Sequence, residues 1–209
     1  MRVKVCGLAN YENSCSVADL SPDYLGFLFY KQSKRYCIPQ IEVMPNGSSK
    51  RVGVFVNSPL DEILLRIEQY KLDGVQLHGE EPLSFCEELK SKLPEIILIK
   101  SFQIGSSEDL QDRDQFSPCC DLFLFDTASP LYGGSGKKFD WSLLSLYKGK
   151  TPFLLSGGIG ILDVEAILSL SHPLLYGVDI NSRFELSPGV KDLNLVSEFI
   201  KRIKNESNR

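Results

Sequence analysis

Cys6 and Asp126 are the two side chains of this sequence best placed to move protons. Each closes a short apolar segment: Val3-Lys-Val-Cys6 stops at Gly7, and Leu122-Phe-Leu-Phe125 stops at Asp126. A run such as Leu122 to Phe125 has no polar face, so it suits a strand buried on both sides. A thiolate and a carboxylic acid on opposite sides of a substrate supply one proton acceptor and one proton donor. Each residue also has a plainer reading. A lone cysteine is commonly a small buried hydrophobe, and aspartate is common in turns. Ser156-Gly157-Gly158-Ile-Gly160 exposes backbone N–H groups with no side chains in the way, which suits an anion but also a simple turn before a helix. Arg35 can grip a carboxylate with two parallel bonds, or sit solvated at the surface. His78 has no evident partner and reads as structural or substrate-lining.

The elements that must position these residues alternate in type. Apolar segments at Val3–Cys6, Tyr24–Phe29, Arg51–Val56, Gly74–Leu77, Ile96–Ile99, Leu122–Phe125, Pro152–Leu155 and Tyr176–Ile180 read as eight strands. Helical patterns follow several of them. Asn10 caps a helix through Ala18, Ser58 can cap and Pro59 can start a helix carrying Ile63, Leu64, Ile67 and Tyr70, and a further helix covers about Pro82–Leu93. A brief Pro-flanked segment after Tyr36 has room only for a short helix. Ser106–Phe116 is polar and weakly helical. Short helices are expected over Trp141–Tyr147 and Leu162–Leu170, and a last one over Leu193–Ile203.

Strand–helix alternation of this kind calls for parallel strands with right-handed crossovers. Eight such units in 209 residues imply an α/β fold, a compact single-domain (β/α)8 TIM barrel with some shortened helices, spanning residues 1–209. An open doubly wound sheet is the competing arrangement, but no G-x-G-x-x-G follows the first strand. In a barrel all strand C-termini share one rim. That rim would carry Cys6, the Lys31–Arg35 loop, Asn57, His78, Ser101, Asp126, Ser156-Gly157-Gly158 and Asp179. The Gly157-Gly158 loop after strand seven and the Asn181-Ser182 turn after strand eight then occupy the common phosphate site of phosphate-binding barrels.

Composition narrows the partners. The net charge of −4 and the lack of a basic patch interleaved with aromatics speak against nucleic acid. No apolar stretch is long enough to span a membrane, and the N-terminus does not read as a signal peptide, so a cytoplasmic location is expected. Six scattered cysteines, two histidines and no C-x-x-C make a zinc site improbable and suggest reduced thiols. No metal or other cofactor is called for.

Across nearly its whole length the sequence resembles the phosphoribosylanthranilate isomerase family of tryptophan biosynthesis. The resemblance is carried by Lys4-Val-Cys-Gly-Leu8, Gly26-Phe-Leu-Phe29, Ser33-Lys-Arg-Tyr36, Val52-Gly-Val-Phe-Val-Asn57, Val75-Gln-Leu-His-Gly-Glu80, Gly133-Gly-Ser-Gly136 with Phe139-Asp-Trp141, Leu155-Ser-Gly-Gly158, Gly177-Val-Asp179 and Ser187-Pro-Gly-Val-Lys-Asp192. It implies a cofactor-free barrel that performs an Amadori rearrangement on a phosphorylated aminoaldose. Asp126 would be the general acid and Cys6 the general base. Arg35 would hold the anthranilate carboxylate, and Gly157, Gly158, Asn181 and Ser182 the phosphate. His78, Asp179 and Gly134 would line the substrate, with the Gly133–Gly136 loop closing over it. Either a monomer or a homodimer is compatible.

The sequence departs from the family pattern at three places. Ala9 stands where threonine is usual, and Lys34 where proline is usual. After strand eight, Asp179-Ile-Asn-Ser-Arg-Phe-Glu185 replaces Asp-Val-Ser-Ser-Gly-Val-Glu. Arg183 would either point outward or assist the phosphate. Two other functions are carried alongside the isomerase. One is a broader aminoaldose-phosphate isomerase, disfavoured because Cys6 rather than aspartate ends the first strand. The other is a catalytically retired barrel that only binds a phosphosugar, motivated by the altered strand-eight loop.

Overall fold

Eight parallel strands follow the expected apolar segments in a computed structural model, which describes residues 1–37, 45, 47–128 and 138–206. They are β1 (Arg2–Cys6), β2 (Tyr24–Leu28), β3 (Lys50–Phe55), β4 (Gly74–Leu77), β5 (Ile97–Ile104), β6 (Leu122–Thr127), β7 (Phe153–Leu155) and β8 (Leu175–Ile180). Each pairs with the next, and β8 returns to β1 with Lys4 opposite Asp179 and Val5 opposite Ile180, closing the barrel. Among the described residues, five α-helices lie outside the strands: α1 (Tyr11–Asp19), α2 (Leu60–Tyr70), α3 (Leu83–Lys92), α4 (Val164–Leu168) and α5 (Leu193–Glu206). Among the described residues, the β5–β6 crossover carries two 3-10 stretches, Ser107–Leu110 and Arg113–Phe116, and the β6–β7 crossover one, Trp141–Leu146, in keeping with the shortened helices expected. An antiparallel pair, β9 (Glu185–Ser187) and β10 (Val190–Lys191), is inserted between β8 and α5.

Local chemistry explains most boundaries. Asn10 caps α1 by accepting from the Asn13 N–H at 2.9 Å. Ser58 does not cap α2 as expected. Pro59 takes that position without a side-chain bond, and Asp61 and Glu62 in the first turn face the positive helix end instead. The largest difference is in β5, expected to stop at Ile99 and extending to Ile104. Lys100 and Ser101 look like exit residues because they are polar, yet both are buried and satisfied. The Lys100 ammonium donates to the Gly79 carbonyl at 2.7 Å and to Glu81 at 3.1 Å. The Pro-flanked segment after Cys37 falls largely outside the described residues.

The core has two parts. An outer shell between strands and helices contains Val3, Val5, Phe27, Phe123, Phe153 and Val178, while the lumen is filled by Tyr24, Val52, Ile99, Leu122, Leu124 and Leu154. Successive strand side chains alternate between these two sides. Apolar residues therefore fill the lumen floor, and polar ones collect towards the C-terminal rim. Among the described residues no helix is long and apolar enough to cross a membrane.

The altered segment after β8 is seated on the outer shell. Ser182–Phe184 forms one 3-10 turn. It turns Phe184 fully inward against Phe199 of α5, with ring centroids 5.0 Å apart in an edge-on arrangement. Phe184→Ala should therefore destabilise the protein by about 3–5 kcal/mol, measured by urea unfolding. A loss under about 1 kcal/mol would mean that the loop is not anchored through this ring.

Candidate active site

Cys6 ends β1 at the C-terminal rim and is 4% exposed. Directly after it the chain turns through Gly7 in the left-handed region, φ +79°. The turn is pinned by the N–H groups of Gly7 and Leu8, which both donate to the Gly26 carbonyl at 3.0 and 3.1 Å. A Cβ on Gly7 would lie 2.4 Å from Asn181 Oδ1 and 2.8 Å from Arg35 Cδ. Glycine there is what lets β1 end beneath the β8 loop and the Arg35 loop at once. A Cβ on Gly26 of β2 would lie 2.7 Å from the Cys6 sulfur, so that glycine makes room for the thiol.

Charged groups meet Cys6 from two directions. Lys4, two residues earlier on the same strand face, is fully buried and donates to Asp179 Oδ1 at 3.0 Å. Lys191 of β10 is equally buried, and donates to Asn181 Oδ1 and to Glu185 Oε1, each at 2.8 Å. Burial pushes the Cys6 thiol up; Lys4 opposes that, Asp179 reinforces it, and Lys191 opposes it.

Asp126 lies within β6, one residue before its end. The N–H of Thr127 donates to Oδ1 at 2.8 Å, and His78 Nε2 stands 3.6 Å from Oδ2. Burial raises this carboxyl to about 6 against the pull of the Thr127 N–H. Burial, with Lys4 and Lys100 adding to it, lowers His78 to about 4. The imidazole is therefore neutral near pH 7, and its contact with Asp126 is not an ion pair. The Gln76 amide nitrogen lies 2.9 Å from His78 Nδ1. Accepting there leaves the ring proton on Nε2, facing Asp126. Ser101 completes this group through its hydroxyl, 2.9 Å from His78 Nδ1. A cleft of about 340 Å³ opens beside Asp126 and His78, with Gln103 and Arg113 along its wall.

The two loops expected to hold an anion are adjacent. Gly157 and Gly158 take φ values of +93° and +64°. A Cβ at Gly157 would strike Thr127 Oγ1 at 2.2 Å and approach Asp126 Oδ1 at 2.9 Å, so only glycine lets the loop after β7 lie against the end of β6. Asn181 and Ser182 follow β8 directly. Arg183 is exposed, and the stem of its side chain lies beside Gly160, bringing the β8 loop alongside the β7 loop.

Several expectations need adjustment. Ser101 is not an exit residue: it lies three residues inside β5, its hydroxyl held at His78, whereas Asp179 and Asp126 each lie one residue before the end of their strand. Arg35 does form a two-pronged carboxylate contact, but with the protein's own Glu185. Nε donates at 2.8 Å and Nη2 at 2.7 Å. Burial would raise Glu185, yet Arg35 and Lys191 hold it below the usual carboxylate range. Gly134 and its neighbours lie outside the described residues. Sequence reasoning missed Lys4, Gln76, Lys191 and Glu185. For Lys4 a signal existed: strand alternation puts it on the Cys6 face.

Comparison with known proteins gives a consistent result. The sequence model described as N-(5'phosphoribosyl)anthranilate (PRA) isomerase matches residues 3–202. The N-(5'-phosphoribosyl)anthranilate isomerase of Parabacteroides distasonis is 43% identical over 208 residues, covering 97% of this chain and 93% of that one. The crystal structure of phosphoribosyl anthranilate isomerase from Thermotoga maritima superposes with a TM-score of 0.84 at 36% identity, covering 98% of each chain. A structure of the isomerase in complex with reduced 1-(o-carboxyphenylamino)-1-deoxyribulose 5-phosphate superposes with a TM-score of 0.82 at 33% identity, again over 98% of both chains. An eight-stranded barrel whose rim joins a thiol, a buried carboxyl and two glycine-lined loops, matched over nearly its full length by these proteins, belongs to the N-(5'-phosphoribosyl)anthranilate isomerase family.

Proposed function

We propose that Asp126 and Cys6 are the general acid and general base of the Amadori rearrangement that converts N-(5-phosphoribosyl)anthranilate to 1-(2-carboxyphenylamino)-1-deoxyribulose 5-phosphate, a step of tryptophan biosynthesis. The observation that carries this assignment is the raised carboxyl of Asp126, at about 6, on the opposite part of the rim from the thiol. Near pH 7 roughly a tenth of such groups carry a proton at any moment, against far fewer for an ordinary aspartate. Asp126 gives that proton to the furanose ring oxygen as the C1–O bond breaks, leaving a protonated imine. Cys6, as thiolate, takes the proton from C2, and the electron pair moves into the C1–C2 bond while the imine nitrogen is neutralised. The resulting enolamine tautomerises to the ketone. The cationic imine is the electron sink, and while bound it also favours the thiolate beside it.

The surrounding residues receive supporting roles. Gly157 and Gly158, with the Asn181-Ser182 turn, hold the phosphate through backbone N–H groups at the rim. A guanidinium has five N–H donors, and Glu185 engages two of those on Arg35. Arg35 offers the remainder to the anthranilate carboxylate, with Glu185 fixing its plane. His78 and Asp179 line the sugar, and His78 keeps Asp126 facing a neutral neighbour. The altered strand-eight segment gives no support to a retired barrel, since Arg183 is exposed and Phe184 is core.

Purified protein given freshly generated N-(5-phosphoribosyl)anthranilate should consume it, followed as loss of fluorescence. Cys6→Ser and Asp126→Asn should each lower kcat by about 10²–10⁴-fold, with Asp126→Asn still binding a reduced product analogue. Rates within severalfold of the parent in either variant would remove that residue from the mechanism. Stability offers an independent check on Asp126. Its carboxyl is raised in the folded state, so its favourable contribution is complete below about pH 4 and is lost as pH rises through about 6. Asp126→Asn mimics the protonated form. It should be no more stable than the parent at pH 4 and more stable at pH 8, by up to about 3 kcal/mol. Equal effects at both pH values would contradict the raised carboxyl.

A further inference from the structure

Lys4 is a costly residue to place where it is. Its side chain is fully buried in a lumen otherwise floored by Tyr24, Val52, Ile99, Leu122, Leu124 and Leu154. A buried ion pair is often no more stabilising than apolar side chains of the same volume, because desolvation of both charges offsets their attraction. Stability alone therefore gives little reason for Lys4 and Asp179 to sit in the lumen. Their placement does give a reason. Lys4 and Cys6 are alternate residues of β1, so both project to the lumen side, and the Lys4 ammonium comes within reach of the thiol. The ammonium cannot drift, since Lys4 and Asp179 are register partners on β1 and β8 and are joined at 3.0 Å.

We propose that Lys4 is a positioning residue for the base of this reaction: held by Asp179, its ammonium stands beside Cys6 and stabilises the thiolate that removes the C2 proton. This rests on the assignment of Cys6 as that base. The groups facing Cys6 are Lys4 on its own strand, Asp179 on β8 and Lys191 on β10, while β2 contributes only Gly26. Asp179 therefore has two opposed effects. It fixes the ammonium, and its own charge works against the thiolate, so the base stays largely protonated until substrate brings its cationic imine. The influence runs both ways: burial opposes the Lys4 charge, Asp179 opposes that penalty, and the Cys6 thiolate, when it forms, adds to the hold on the ammonium proton. Lys191 adds a second cation, but one already shared with Asn181 and Glu185.

The test compares the parent with Lys4→Gln, which can still hydrogen-bond Asp179 without charge, and with Lys4→Arg, which keeps the charge. Two readouts are taken: the pH dependence of kcat, and the pH dependence of iodoacetamide labelling of Cys6 located by mass spectrometry. In Lys4→Gln the thiol titration should move up by about one pH unit or more, with kcat near pH 7 falling at least about tenfold and KM changing less than about threefold. Lys4→Arg should recover most of both. A Lys4→Gln protein with parental circular dichroism whose labelling and kcat profiles match the parent would overturn the proposal. So would a loss in which both variants fall equally and the labelling profile does not move, because that is structural damage. Should Lys4→Gln not fold, Lys4→Arg decides between the same outcomes: a parental thiol titration supports the proposal, and one raised despite the retained charge overturns it. Cys6→Ser is run alongside. Parental turnover there removes the base assignment itself, whereas an inactive Cys6→Ser with unshifted Lys4→Gln profiles removes only the role of Lys4.

Discussion

The pairing of β8 with β1 is the interaction on which the rest of the molecule depends. Without it the eight strands form an open sheet with two unpaired edges. With it, every strand C-terminus is brought to one rim, and residues separated by most of the chain become neighbours. Four register pairs make this seam, from Arg2 with Gly177 to Val5 with Ile180. The Lys4–Asp179 ion pair lies within it and acts on Cys6. Gly177 shows how tightly the seam is drawn, since a Cβ there would lie 2.4 Å from the Arg2 carbonyl oxygen. The contact that closes the barrel and the contact that charges its lumen are thus parts of the same two strands.

Burial then acts on every titratable group at the rim in the same sense, favouring the neutral form. That suits the acid role proposed for Asp126 and works against the base role proposed for Cys6. The surrounding charges are distributed accordingly. Asp126 faces a neutral imidazole, and burial outweighs the pull of the Thr127 N–H and of Lys4 on its proton. Cys6 is flanked by the two buried lysines, which offset part of the burial penalty. Lys4 bears on both groups, but it is the leading charge acting on Cys6 and a lesser one on Asp126, so one desolvated cavity can hold a raised carboxyl together with a thiol that has cationic neighbours. This is the usual way a single site separates two proton-transfer roles.

The same distinction explains what the sequence reveals. Strands were legible where both faces are apolar, as in Leu122–Phe125, and α1 was legible from Asn10. The end of β5 was not, because a lysine in a strand reads as an exit until its partners are known. Lys100 is satisfied by Gly79 and Glu81, residues that come near only once β4 and β5 are paired. Cys6 and Asp126 stand out in the sequence because each ends an apolar run beside glycine-rich or turning chain, and the structure places both at the rim. Glu185 was missed because its partner Arg35 is 150 residues away, and Lys191 because its sequence context resembles an exposed loop. Single-residue chemistry is visible along the chain. Charge pairing between remote strands depends on the closure that joins them.

The departure after β8 follows from the same logic. A bulky arginine and phenylalanine in place of small residues would crowd a phosphate loop if both pointed into it. The short 3-10 turn sends them different ways, Phe184 into the shell against Phe199 and Arg183 to the surface. Asn181 meanwhile abuts Gly7 and accepts from Lys191, tying the loop to the turn that follows Cys6. Small residues would leave this loop compact but loosely held. Here it is anchored from below by an aromatic ring and from the side by an amide. Larger residues can therefore stand beside the glycine-lined loop after β7 without entering it, because the Phe184 ring is absorbed by packing against Phe199.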